Sequence, residues 1–67
     1  MANTEMLKKR MAERGISQSD MARLLGIAPP TMSQKINNLR PFTLDEADTL
    51  SRELEIPPEE FRAYFFA

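Results

Sequence analysis

The segment Gln18–Asn37, QSDMARLLGIAPPTMSQKIN, decides the fold of this chain because it carries two short helical patterns on either side of a glycine. Gly26 can adopt a positive φ and so turn the chain, and Ala22 is small enough for two helix backbones to cross closely. The apolar residues of the segment recur at helical spacing, at Met21, Leu25, Ile27, Met32 and Ile36. The pattern predicts two short helices that cross at a steep angle around a tight turn.

The residues on both sides of this segment predict three more helices. The first should run from about Thr4 to Arg14 and end at Gly15. The fourth should start at Thr43-Leu44-Asp45-Glu46, which has the form of a capping box, and the fifth at Pro57-Pro58. Their inward side chains should be Leu44, Ala47, Leu50, Leu54, Phe61 and Phe65.

The length of the chain limits the number of cores. Sixty-seven residues bury too little surface to support two separate cores. We therefore predict one domain over residues 1–67, an all-α, compact five-helix fold with the two crossing helices at its centre.

The third helix is predicted over residues 29–37, because Pro29 suits the first turn of a helix. Met32 and Ile36 point inward, which leaves an outer face without a role in the core. A polar face of this size fits the major groove of DNA, and the amide of Gln34 can pair bidentately with adenine. An ordinary solvated face is the alternative. The polar side chains of this face are Thr31, Ser33, Gln34, Lys35 and Asn37.

The charges of the chain are unevenly distributed. The net charge is −1, yet residues 1–40 carry seven basic and three acidic side chains, whereas residues 41–67 carry two basic and seven acidic ones. A basic half facing phosphate, with an acidic half turned away, is typical of a DNA-binding domain. Helix faces whose signs happen to segregate are the alternative.

The composition argues against several other classes of protein. The chain has no Cys and no His, so disulfides, thiolate metal sites and the commonest general base are missing. Its carboxylates read as solvent-facing charge, and no stretch is apolar enough to span a membrane. We expect a cytoplasmic protein that is not an enzyme, with no cofactor, metal or small-molecule ligand and no membrane partner.

Nearly the whole chain resembles the phage Cro and repressor family of helix-turn-helix proteins. Gly15-Ile16-Ser17-Gln18 is similar to the family's entry into its second helix, Gly26-Ile27 to its turn, and residues 31–37 to its recognition helix. Residues 40–47 and 54–61 resemble the helices that follow in Cro-like members. The resemblance implies a bacterial repressor that binds a double-stranded DNA operator on the nucleoid.

The resemblance also implies roles for individual residues. Gln18 lies where relatives bond a phosphate at the start of the second helix, with an ordinary first-turn residue as the alternative, and Ser17 beside it is also expected to contact DNA. Pro29 and Pro30 replace residues that donate to bases in relatives, so they either touch thymine methyl groups or only stiffen the helix start. The backbone anchors beyond the recognition helix are expected to be Asn37, Asn38 and Arg40, although Asn38 also suits a helix terminator.

Some relatives pair an Arg in the first helix with a Glu in the recognition helix. The matching positions here are Met11 and Ile36, so an apolar contact is expected to replace that ion pair.

The C-terminal segment is predicted to form a weak symmetric dimer, which tightens when two copies bind adjacent half-sites. Phe61 and Phe65 suffice to cover the core, so other aromatic side chains should point elsewhere, unless the tail folds back on the core. The predicted dimer contacts are Tyr64, Phe65 and Phe66.

One other function uses the same fold. The domain could serve as a protein-interaction module, such as an antitoxin or a regulatory subunit, with the acidic half as its contact surface. The salt dependence of binding distinguishes the two functions, because binding to DNA weakens steeply as salt increases and an apolar protein contact does not.

Overall fold

Five α-helices make up the domain in the computed structural model, which describes residues 1–67, and the chain forms no strand. The helices are α1 (Thr4–Arg14), α2 (Gln18–Leu25), α3 (Pro29–Ile36), α4 (Leu44–Glu53) and α5 (Phe61–Phe65), and the 3-10 turn Pro58–Glu60 leads into α5. This arrangement confirms the predicted all-α fold. None of the helices combines the length and apolar character that a membrane crossing requires.

Polar side chains cap the start of three helices. Ser17 Oγ accepts from Asp20 N at 3.0 Å while Asp20 Oδ2 accepts from Ser17 N at 2.9 Å, which is a complete capping box on α2. Thr43 and Glu46 form the same arrangement on α4, as the sequence predicts. Asn3 caps α1 by accepting from Met6 N at 3.1 Å. Each such cap stabilises its helix by about 1 kcal/mol.

Left-handed residues follow α1, α2, α3 and α4. Gly15 and Gly26 have φ of 67° and 68°, as predicted, and Asn38 has φ of 64°. Glu55, with φ of 53°, adopts the same conformation after α4 although its side chain disfavours it. Arg10 stabilises that end, because its guanidinium donates to Leu54 O at 2.8 Å and to Glu55 O at 2.7 Å.

The core comprises thirteen buried apolar residues drawn from every α-helix. Ala22 is 1% exposed, which fits the close approach predicted for α2. Leu44 was predicted to face the core but is 70% exposed. The core at that end of α4 is covered by Phe42, which lies before the helix and packs edge-on against Phe65 with ring centroids 5.4 Å apart. The largest fully buried side chains are Leu7, Met21, Met32, Ile36, Leu50, Leu54 and Phe65.

The two ends of the chain pair with each other. Ala67 N donates to Met1 O at 2.9 Å, the amino group of Met1 donates to Ala67 O at 3.0 Å, and Asn3 N donates to Tyr64 O at 2.8 Å. Between these bonds Ala2 is buried. The pairing fixes α1 and α5 side by side.

Candidate nucleic-acid interface

The turn between α2 and α3 sets the geometry of the candidate site. Gly26 ends α2 in the left-handed conformation, and Gly26 N donates to Arg23 O at 3.2 Å. Ile27 N then donates to Ala22 O at 3.0 Å, and the Ile27 side chain packs partly against the core. These contacts hold α3 firmly against α2, which in turn packs on α4.

One face of α3 is buried and the other is open to solvent. Met32 and Ile36 are 0% exposed, so they lock the helix onto the core. Asn37, which caps the helix, is exposed, and its amide donates to Ser33 O at 2.9 Å. The outer face brings together the predicted groove residues Thr31, Ser33 and Gln34, all partly exposed, and the exposed Pro29 and Pro30.

The start of α2 carries Ser17 and Gln18, two of the residues expected to contact DNA. Ser17 is exposed, but its hydroxyl already accepts the capping bond from Asp20 N. The hydrogen bond from the Ser17 amide, as the largest cause, lowers the pKa of Asp20, so this carboxylate stays charged at the helix start. Gln18 is partly exposed beside it, at the positive end of the α2 dipole.

Lys35 does not project from the outer face of α3, contrary to the prediction. Its Nζ donates to Pro41 O at 3.0 Å and to Glu46 Oε1 at 2.9 Å, and the side chain is only 11% exposed. Lys35 lies one residue before the buried Ile36, so its long side chain reaches along the edge of α3 to the start of α4. The Glu46 carboxylate and the Pro41 carbonyl hold it there.

Asn38 is a terminator and a clamp, and its side chain is not free to anchor DNA as was predicted. Asn38 Oδ1 accepts from Ala2 N at 2.9 Å, and its Nδ2 donates to Ala2 O, also at 2.9 Å. The left-handed backbone turns the amide towards the N-terminus, where both of its polar atoms find partners. Arg40, by contrast, is exposed as expected, and its backbone N donates to Gln34 O at 3.2 Å.

The basic half of the sequence does not present all of its charge to solvent. Arg14 pairs with Glu55, Lys35 pairs with Glu46, and Arg10 donates to the C-terminal carbonyls of α4. These three contacts join the basic half of the sequence to the acidic half. The exposed basic residues of this half outside these three contacts are Lys8, Lys9, Arg23 and Arg40, of which Arg23 pairs with Asp20.

The aromatic residues predicted for a dimer contact lie largely against the core. Phe65 is 1% exposed, so it cannot contact another molecule. Tyr64 and Phe66 are partly buried and pack against the core, and the ring centroids of Phe66 and Phe61 lie 5.8 Å apart. The prediction that they point elsewhere is wrong, because α5 is only five residues long and the tail folds back onto the core.

Two features of the site were not predicted. Leu39 is 76% exposed and lines a groove together with Met1, Pro41 and Phe66, among others. The sequence does carry a signal for this exposed apolar residue, because Leu39 belongs to no helical stripe and lies between two polar residues. The ion pair between Glu46 and Lys35 was also not predicted, because the capping box already gave the Glu46 carboxylate a hydrogen-bond partner.

Comparison with known proteins identifies one family. A family model described as the Cro/C1-type HTH DNA-binding domain matches residues 6–66, which is almost the entire chain. No curated protein and no solved structure matches the chain.

Proposed function

Because this chain belongs to the Cro/C1-type helix-turn-helix DNA-binding family, we propose that it is a sequence-specific transcriptional repressor. It binds a double-stranded operator and reads base edges in the major groove with α3. Binding alone blocks transcription in this mechanism, without catalysis. Its place of action is the bacterial cytoplasm, on the nucleoid.

The observation that carries the proposal is the division of α3 into two faces. Met32 and Ile36 are fully buried, which holds the helix rigidly, while Thr31 and Gln34 on the other side stay partly open to solvent. A rigid helix with free hydrogen-bonding side chains meets the requirement for direct readout of bases. Gln34 is the main base reader in this proposal, through paired hydrogen bonds to adenine.

Backbone contacts flank the reading helix. Gln18 lies at the N-terminus of α2, where the helix dipole favours a phosphate, and Arg40 extends its charge into solvent beyond α3. Such contacts fix the register of the protein on the duplex and add affinity that depends on salt. Pro29 and Pro30 are exposed at the start of α3 and offer apolar contact to thymine methyl groups.

A second copy of the chain completes the operator-binding unit. Leu39 is 76% exposed and lines an open groove together with Met1, Pro41 and Phe66, so each copy offers an apolar surface that its own chain leaves uncovered. A two-fold interface pairs one surface with the same surface of a second copy, and this groove is the proposed contact. Sedimentation equilibrium of Leu39→Ser against the original chain, with and without operator, tests the contact. Full-affinity operator binding by this variant would place the contact elsewhere.

Selection of bound sequences from a random duplex pool tests the proposed function most directly. We expect enrichment of one sequence, built from two half-sites related by two-fold symmetry and about 34 Å apart. Affinity for that sequence should fall steeply as salt increases, through release of counterions. Failure to enrich any sequence, together with salt-insensitive capture of a protein partner, would favour an interaction module instead.

A further inference from the structure

The side chains of Lys35 and Glu46 form a closed link between α3 and α4. Lys35 Nζ lies 2.9 Å from Glu46 Oε1 and 3.0 Å from Pro41 O. The same Oε1 accepts from Thr43 N at 2.9 Å. The Lys35 and Glu46 side chains are only 11% and 19% exposed, so water and salt screen the pair less than a surface pair. We call these four residues, Lys35, Pro41, Thr43 and Glu46, the α3–α4 clip.

The clip spans the connection that follows the reading helix. Within this connection Leu39 N donates to Gln34 O at 2.8 Å, and Arg40 N donates to the same oxygen at 3.2 Å. The backbone of Gln34 is thereby tied to the backbone of Arg40. The Lys35 side chain also holds this connection, because its Nζ donates to Pro41 O, one residue beyond Arg40.

We propose that Lys35 and Glu46 are positioning residues for DNA binding, and that Lys35 does not itself contact phosphate. Their ion pair fixes the α3–α4 connection so that Gln34 and Arg40 are held in the spacing that base and phosphate require. Affinity rises when a binding surface is ordered in advance, because less conformational entropy is then lost on binding. This inference rests on the proposed DNA-binding function.

The ionisation of Glu46 agrees with the geometry. Partial burial opposes its charge, but the Thr43 amide and the Lys35 ammonium outweigh that effect and lower the pKa of Glu46. The Glu46 carboxylate is therefore charged at neutral pH. It lies 2.9 Å from Lys35 Nζ, so the two opposite charges offset each other within the protein.

The decisive test compares Lys35→Met with Glu46→Gln in operator binding at several salt concentrations. Positioning predicts that each variant weakens operator binding about three- to tenfold, with the salt slope unchanged. A phosphate contact predicts the opposite pattern. Lys35→Met would then lower the salt slope by about one unit, and Glu46→Gln would strengthen binding by releasing the ammonium towards DNA. Either of those results overturns the inference.

Matched controls separate positioning from a general effect of charge. Arg62→Met removes an exposed positive charge and Asp45→Asn removes an exposed carboxylate from the first turn of α4. Neither residue belongs to the clip, so neither variant should weaken operator binding threefold. The double variant Lys35→Met/Glu46→Gln should lose no more affinity than the weaker-binding single variant, since both changes break one link. Additive losses would contradict the inference.

A measurement without DNA keeps this inference distinct from the proposed function. Hydrogen exchange at the amides of Leu39 and Arg40 reports how firmly the connection is held in the free protein. Both clip variants should accelerate this exchange by about tenfold or more, whereas Arg62→Met should leave it unchanged. Unchanged exchange in the clip variants overturns the inference even if the operator is bound. If no DNA sequence is selected but exchange responds as expected, the clip does hold the connection, and it is the proposed DNA-binding function that fails.

Discussion

The outer face of α3 and the C-terminal segment Phe61–Ala67 are both rich in side chains that can bind, but their surroundings differ. Thr31, Ser33 and Gln34 remain partly open to solvent. In the C-terminal segment, by contrast, Phe65 is buried and Phe66 packs against Phe61. Burying an amide or hydroxyl without a partner is costly, while burying an aromatic ring is favourable. In a domain this small, surplus aromatic residues therefore fold back onto the core. Polar residues off the apolar stripe stay available for a partner.

Removing the Phe65 ring should destabilise the packing of the C-terminal segment and cause the largest loss of stability among these variants. Phe65 is 1% exposed and packs against both Phe42 and Phe61. Phe65→Ala should reduce the free energy of unfolding by about 3–5 kcal/mol, which approaches the total stability of a small domain. Urea denaturation followed by circular dichroism measures it. Leu44→Ala, at a site that is 70% exposed, is the matched control and should change stability by less than about 0.5 kcal/mol.

Removing the Gln34 amide should sharpen the contrast, because it affects binding and leaves folding intact. Gln34→Ala should weaken operator binding by about 1–3 kcal/mol and relax the preference at one or two base pairs. Its free energy of unfolding should stay within about 0.5 kcal/mol of the original, since the side chain lies outside the core. Fluorescence anisotropy with operator and random duplexes provides the measurement. Equal losses on both duplexes would mean that Gln34 contacts only the DNA backbone.

The Arg40 side chain is proposed to contact phosphate beside the reading face, and such a contact does not depend on the DNA sequence. Arg40→Ala should weaken binding to operator and random DNA alike and reduce the salt slope by about one unit. Arg62→Ala removes an equally exposed charge from the acidic half and should change neither quantity to this extent. An unchanged slope for Arg40→Ala would exclude a phosphate contact.

The smallest expected effect is the dependence of stability on pH at the clip. Partial burial opposes the charge of Glu46, but the hydrogen bond from Thr43 N and the charge of Lys35 outweigh it and lower the pKa of Glu46. As pH falls, the unfolded chain therefore takes up a proton at Glu46 before the folded chain does. The stability that Glu46 contributes is present above the ordinary pKa of glutamate and is lost as pH falls through the lowered value of the folded state. Glu46→Gln should flatten the acid side of the stability curve, measured by denaturation from pH 3 to 6. Leu44→Ala removes no titratable group and should leave that side of the curve unchanged.

The ends of α1 and α2, the start of α4 and the orientation of α3 follow from local signals in the sequence. Gly15, Gly26 and the Thr43 capping box act within one turn of the chain, and the spacing of Met32 and Ile36 orients α3 directly. The Lys35–Glu46 pair spans eleven residues and depends on the path of the connection between α3 and α4, which no periodicity encodes. The left-handed conformation of Glu55 likewise depends on Arg10, which is distant in sequence.

The pairing of Met1 with Ala67 makes the backbone of this domain almost a closed circle. Hydrogen bonds already join these two residues, so a short peptide linker could covalently close the ring without moving α3. A cyclised chain has fewer unfolded conformations, so closure should raise the free energy of unfolding through entropy alone. The same adjacency permits circular permutation, in which new ends are opened at an exposed turn while the order of the helices in space is kept.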